Sequence, residues 1–239
     1  IFFFLLFRRP PRSTRFPSTT LFRSRGDYDF LSRSETRLPG FYASVGEWSK
    51  TERDGEEVIL QDGSSMGGTV SCALHNTLET VLGGRYRKFL ENRHALHYYP
   101  VAVRRRGRHE SDRIRVDARI AAGCVDLAAG LAFGLWNVGN CLVLAADAAA
   151  GELQLLEFVN NVRHFRERVT ADIPMDRWLQ LEVSVAEKEI TGSLEGETLL
   201  RFTARQAVSG HVGLWTKGDT TAYFRKLATI DARGEEKTE

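Results

Sequence analysis

The chain has 239 residues, 42% of them hydrophobic and 27% charged. That is the balance of an ordinary globular protein, long enough to bury a core without covalent staples. Its three cysteines, Cys72, Cys124 and Cys141, stand far apart and form no Cys-x-x-Cys pair, so neither a disulfide framework nor a zinc ribbon is expected. Lysine plus arginine number 33 against 31 acidic residues, a net charge of +2, which gives generic nucleic-acid binding no support.

The first 24 residues stand apart from the rest. Residues 1–7 are apolar, but a bilayer span needs about 20 such residues, so no membrane span is expected. The basic residues follow the apolar run, whereas a signal peptide places them before it. Residues 8–24 resemble the conceptual translation of a sequencing adapter, of the kind found fused to open reading frames in metagenome assemblies. The native start, and any export signal with it, is therefore expected upstream. Once the five arginines of 1–24 are set aside, 28 basic residues face 31 acidic ones, a net charge of −3. The remainder reads as an N-terminal extension (25–39), one domain (40–230) with an insertion at about 75–100, and a charged tail (231–239).

In chain order, residues 58–61 and 68–74 have strand character. Residues 76–93 read as a helix: Asn76 and Glu79 have capping-box form, and Leu78, Val81, Leu82, Phe89 and Leu90 fall on one face. Gly83-Gly84 opposes it by about 1 kcal/mol per glycine. Residues 98–105 return to strand. The run from Arg104 through Arg108 to His109 is a charged turn, either a solvated loop or a polyanion patch. From about residue 112 short alternating runs dominate. Ile114, Val116, Ala118 and Ile120 alternate with Arg113, Arg115, Asp117 and Arg119, the pattern of a half-buried strand with a charged outer face. Apolar runs follow at 128–135 and 141–146, around a turn at 137–140. Strands are predicted at 152–159 and 162–170 about Asn160-Asn161, whose side chains tolerate positive φ. Further strands are predicted at 178–186, 189–194, 198–203, 211–216 and 222–230. The fold class is all-β, a two-sheet antiparallel sandwich with a short helical insertion.

The segment from His211 to Phe224 carries a family resemblance. Gly210, Val212, Gly213, Leu214, Trp215, Thr216, Lys217 and Asp219 match the closing Gly-x-Val-Gly-Leu-Trp-Thr-Lys-x-Asp of concanavalin A-like (laminin G-like) jelly rolls. The nearest group in motif is the 3-keto-disaccharide hydrolase-type domain, itself similar to glycoside hydrolase family 16. Upstream, Asp176-Arg-Trp178-Leu-Gln-Leu181 stands where the family has Gly-x-Trp-His-x-Leu. Glu195-Gly196-Glu197 stands for Asp-Gly-Lys, and Trp48 with Val58-Ile-Leu-Gln61 resembles the opening strands. The resemblance covers about residues 40–230. It departs where the terminal Phe-Asp-Asp becomes Phe224-Arg225-Lys226, and where Asn-Tyr-Tyr becomes Asn140-Cys141-Leu142. It implies a jelly roll acting on a carbohydrate ligand, and it favours export. No cofactor is expected, although the resemblance leaves a structural calcium ion open.

Candidate site residues follow from chemistry and from that resemblance. Glu152-Leu-Gln-Leu-Leu-Glu157 resembles the Glu-x-Asp-x-(x)-Glu strand of family 16, so Glu152 and Glu157 are a candidate catalytic pair; the alternative is outward-facing charges on an ordinary strand. Trp136, Asn137 and Asn140 sit at a loop mouth and either contact ligand or form core and turn. Arg163 and His164 follow the Asn160-Asn161 turn and are expected exposed, within reach of a ligand. Trp178 and Trp215 are either core residues or stacking platforms. Lys217 and Asp219 are either a ligand rim or a structural turn. His75, His94 and His97 cluster about the insertion, but no cysteine or acid completes a tetrahedral set, so no metal site is expected. No P-loop or Rossmann glycine pattern occurs. The sequence therefore predicts a carbohydrate-binding or glycoside hydrolase-like domain, against the alternative of a non-catalytic interaction module. The changes at Arg225 and Gln154 favour binding over hydrolysis.

Overall fold

A computed structural model describes residues 38–65, 69–83, 85, 99–105, 109–110, 113–231 and 236–237. The adapter-like segment, His94, His97, the run 106–108 and most of the C-terminal tail lie outside the described residues, as does most of the N-terminal extension.

Two antiparallel sheets are formed. The first has the order β1 (Phe41–Val45), β4 (Val101–Arg104), β14 (Ser209–Thr216), β7 (Ala128–Asn137), β8 (Asn140–Asp147), β9 (Glu152–Val159) and β10 (Val162–Thr170). A short β5 (His109–Glu110) also pairs with β14. The second has the order β13 (Glu197–Thr203), β12 (Glu189–Leu194), β11 (Leu179–Ala186), β6 (Arg113–Ala122), β15 (Thr221–Ile230), β3 (Glu56–Asp62) and β2 (Glu47–Arg53), with β16 (Glu236–Lys237) beside β15. The chain crosses repeatedly between sheets, as in a jelly roll.

The alternation predicted for β6 holds: Ile114, Val116, Ala118 and Ile120 enter the core between the sheets. So do Leu131, Phe133, Leu144, Leu155 and Leu214 from the first sheet. That sheet is apolar on its outer face as well, where Ala132, Val143, Leu156, Phe158 and Trp215 form a second buried cluster. Burial on both faces is why β7 and β8 read as continuous apolar runs rather than alternating ones.

The predicted turns form as the residues dictate. Asn160 and Asn161 have φ of 51° and 66°, and Glu195-Gly196 has 52° and 81°. Both are two-residue hairpins whose positive φ matches the strand twist. The helix differs from expectation. It is α1 (Thr69–Leu82), so 69–74 is helical rather than part of a strand, and Asn76 lies inside the helix rather than at its cap. Val70, Cys72 and Leu74 alternate over too short a run to separate strand from helix. Thr77 and Thr80 do not interrupt the helix, because their hydroxyls donate to the carbonyls of Ala73 and Asn76, four residues back.

The cysteines also need correction. Cys72 on α1 and Cys124 in the β6–β7 loop are joined in a disulfide, and Cys141 alone is a buried free thiol. Burial pushes the Cys141 thiol up to about 12. Among the described residues no helix is long and apolar enough to cross a membrane.

Candidate functional site

Trp215 is core. It lies on the outer face of the first sheet at 1% exposure, and Tyr99 stacks on it with ring centroids 5.6 Å and planes 20° apart. Phe158 meets Tyr99 edge-on at 4.8 Å. The stacking-platform reading of Trp215 fails because its ring is already covered by the chain's own aromatic residue.

Lys217 and Asp219 form a structural clamp. The Asp219 carboxylate accepts from three successive backbone N–H groups, those of Cys124 (2.8 Å), Val125 (3.1 Å) and Asp126 (2.9 Å). Lys217 Nζ lies 2.7 Å from the nearly buried Asp126 carboxylate. Thr220 Oγ1 accepts from Ala128 N–H and donates to a nearby carbonyl. The family-like Trp-Thr-Lys-x-Asp run is thus spent holding the β14–β15 turn against the β6–β7 loop. Asp147 is buried close by, and burial holds its carboxyl above the ordinary value even though Lys217 pulls the other way. Among the described residues no three of His, Cys, Asp and Glu converge to hold a metal ion.

Glu152 and Glu157 do not share a face of the sheet. β9 pairs with β8 in unbroken register, so no bulge shifts its alternation. Five residues apart, the two side chains leave opposite faces of the sheet and lie roughly 16 Å apart along the strand. Glu152 accepts from Gln154 Nε2 (3.0 Å), next to Arg168 (3.8 Å). Arg163 is also displaced from its expected role. It points to the outer face of the first sheet, is 6% exposed, and carries its guanidinium 4.7 Å over the Phe165 ring. His164, the next residue, is exposed and directly opposite Glu157.

Asn137 and Asn140 build turns. Asn137 Oδ1 accepts from Gly139 N–H (3.0 Å) and from Asn140 Nδ2 (2.9 Å). Asn140 Oδ1 accepts from Asn160 N–H (3.0 Å), which ties the β7–β8 hairpin to the β9–β10 hairpin. Trp136, just before this turn, is 57% exposed, an unusual state for an indole.

These residues border a groove of about 310 Å³ between the β7–β8 hairpin, the end of β9 and the loop 204–208. Trp136, Asn140 and Glu157 line it, together with Arg205, Gln206 and Ser209. Arg166 completes the polar side: it donates from Nε and Nη2 to Oε2 of the half-buried Glu157. Oε1 remains to accept a hydroxyl. An exposed ring beside a held carboxylate, a guanidinium and amides is the usual composition of a small-molecule site. Among the described residues that line the groove, Glu157 is the only acid.

Of the residues named from sequence, the fold brings Trp136, Asn140 and Glu157 to this groove, whereas Arg166 and the loop 204–208 were not named. Simple alternation from Val162 would place Arg166 on the His164 face. That is the face of Glu157, where Arg166 lies, and the bulge at Arg166, between Phe165 opposite Leu156 and Glu167 opposite Leu155, leaves it there.

A second polar cluster covers the outer face of the second sheet. Trp178 is neither core nor a bare platform: its Nε1 donates to Asp54 (3.2 Å), and the Arg225 guanidinium lies 4.2 Å over its ring. Arg225 pairs with Asp117 (3.1 Å) and Glu56 (2.9 Å), and Arg119 pairs with Asp54 (2.9 Å) and Asp176 (2.7 Å). These charges neutralise one another across the face. This is the charged outer face that the β6 alternation predicts, with Asp117, Arg119 and Arg225 largely covered.

No protein-family model matches the chain, and no curated protein matches it in sequence. Among solved structures it is similar to the carbohydrate-binding module CBM66 from Bacillus subtilis, at 13% identity over 80% of this chain and 94% of that one, with a TM-score of 0.57. It is also similar to a Bacillus subtilis protein of unknown function with a galectin-like fold, at 10% identity over 82% of this chain and 91% of that one, with a TM-score of 0.53. At these identities the likeness establishes the architecture: a galectin-like, two-sheet jelly roll.

Proposed function

We propose that the chain binds carbohydrate, without cleaving it, in the groove between Trp136 and the Glu157–Arg166 pair. The observation that carries this reading is the largely exposed Trp136 indole beside that ion pair on one groove of about 310 Å³. The apolar CH face of a sugar ring stacks on an indole, while its hydroxyls bond carboxylate, guanidinium and amide groups. The volume suits one or two sugar rings. The sequence resemblance to disaccharide-acting jelly rolls and the fold shared with a carbohydrate-binding module support the same ligand class.

Binding is favoured over hydrolysis by the carboxylate arrangement. Retaining and inverting glycosidases both use two carboxyls, about 5–5.5 Å or 6.5–9.5 Å apart. Among the described residues that line the groove Glu157 has no second acid beside it, and Glu152 leaves the opposite face. The Cys72–Cys124 disulfide supports an oxidising compartment, in line with the export that the resemblance implies.

The test is a glycan panel assayed in parallel for binding and for release of reducing or 3-keto sugar. Binding without release, unaltered in kind by Glu157→Gln, agrees with the proposal. Release that Glu157→Gln abolishes contradicts the non-catalytic reading, and no binding to any glycan contradicts the ligand class.

A further inference from the structure

The lining of the Trp136 groove is unbalanced in charge. Among its described residues two carry a full charge, Glu157 on β9 and Arg205 on the loop 204–208. Glu157 is neutralised from β10, where Arg166 donates to its Oε2 from both Nε and Nη2. His164, exposed across from Glu157, brings no negative charge. Among the described residues no carboxylate lies within ion-pair distance of Arg205. The groove therefore keeps one uncompensated positive charge, on its 204–208 wall.

The fold fixes where that charge sits. The loop is tied at both ends: Ala204 N–H donates to the Lys188 carbonyl (2.8 Å) and Val208 N–H to the Glu187 carbonyl (2.8 Å). These bonds hang it on the turn between β11 and β12, and Ser209, where β14 begins, continues the same lining. The Arg205 side chain is exposed and takes no part in the packing of the sandwich. A guanidinium keeps its charge at every working pH, and its fork of donors fits a planar carboxylate with two parallel bonds. A neutral sugar offers that fork only hydroxyls. A hexuronate offers a carboxylate carried on the sugar ring, beside the CH face that stacks on an indole. Repulsion between such a carboxylate and Glu157 is offset by Arg166 on the same face.

We infer that the groove selects an acidic sugar, a hexuronate whose carboxylate sits on Arg205 while its ring stacks on Trp136. This rests on the reading of the groove as the carbohydrate site, and narrows the ligand from glycans in general to uronate-containing ones.

The experiment is titration calorimetry of the full chain with matched disaccharides: cellobiouronate against cellobiose, and digalacturonate against galactobiose. In at least one pair the acidic member is expected to bind at least about fivefold more tightly at about 0.05 M salt, with a smaller margin at about 0.5 M. Arg205→Gln is expected to bring the ratio close to one, and Arg205→Glu to reverse it. Because Arg205 is exposed, both variants are expected to keep the wild-type unfolding curve, measured on the same samples. Equal affinities within both wild-type pairs, or an acidic preference that persists in Arg205→Gln, overturns the uronate assignment and leaves the groove reading standing. Absence of binding by both acidic disaccharides overturns it too, and the groove reading falls with it only if the whole glycan panel also fails to bind.

Discussion

Tyr99 lies stacked on Trp215, with ring centroids 5.6 Å and planes 20° apart, so the outer face of the first sheet is filled by the chain itself. This relationship moves the search for a ligand from the sheet face to its end. It also sets the ionisation of Tyr99. Burial pushes its phenol up to about 12, with the charge of Arg163 pulling the other way.

The first prediction follows from that phenol. An acid whose folded value is raised keeps its proton longer in the native state, so native stability holds below the ordinary value near 10 and falls as pH climbs from there through about 12. Denaturant midpoints of the wild type are expected to drop across that window, and Tyr99→Phe is expected to flatten the drop. Tyr99→Ala, which uncovers Trp215, is expected to cost about 3 kcal/mol at neutral pH.

The Asp219 clamp gives a second prediction. Removing its carboxylate leaves three backbone donors of the β6–β7 loop without their acceptor. Asp219→Ala is expected to lose at least about 3 kcal/mol in urea unfolding, since each buried unmet donor costs about 1–3 kcal/mol. Glycan affinity of the folded fraction is expected to stay unchanged. A normal stability with lost affinity would return Asp219 to the ligand rim.

Asp147 gives a third. Its carboxyl is raised by burial, so ionising it weighs on the folded state, and its contribution to stability declines as pH rises above the ordinary carboxylate range. Asp147→Asn stays neutral and keeps an oxygen for the Ala150 N–H that Asp147 accepts at 2.9 Å. The variant is expected to gain on the wild type as pH rises through and above the ordinary carboxylate range, as read by chemical denaturation. A variant that loses ground over that range contradicts the burial account.

The disulfide gives a fourth. Cys72 and Cys124 are 52 residues apart, and closing such a loop restricts the unfolded chain by about 4 kcal/mol in the chain-entropy model. Cys72→Ser is expected to lower stability by about 2–4 kcal/mol. Reduction is expected to match the substitution, and mass spectrometry after alkylation should find Cys141 protected until unfolding.

How much of this was legible in the sequence varied with the physics of each element. The β6 alternation and the Asn160-Asn161 and Glu195-Gly196 hairpins were plain, because one buried face and positive-φ turns leave local signatures. α1 was displaced by several residues because Val70, Cys72 and Leu74 satisfy a strand period as well as a helical one. The Cys72–Cys124 bond was hidden, since spacing does not reveal which cysteines meet in space. Of the site, Trp136, Asn140 and Glu157 were named from residue type and turn position, and the fold brings them to one groove. Arg163 failed because a residue after a hairpin turn can point to either face, and here its stem enters the outer apolar cluster. Arg166 was missed although alternation from His164 places it on the Glu157 face, where it pairs with that carboxylate. Glu152 and Glu157 looked paired only if β9 carried a bulge, and the unbroken β8–β9 register excludes one.

The central claim is that Trp136 forms the platform of the carbohydrate groove. The most direct measurement is titration calorimetry of the wild type and Trp136→Ala against the tightest glycan of the panel, with unfolding measured on the same samples. An exposed tryptophan contributes little to folding, so stability is expected to change by less than about 0.5 kcal/mol while affinity falls at least tenfold, about 1.4 kcal/mol. Unchanged affinity in a Trp136→Ala protein of wild-type stability would contradict the account.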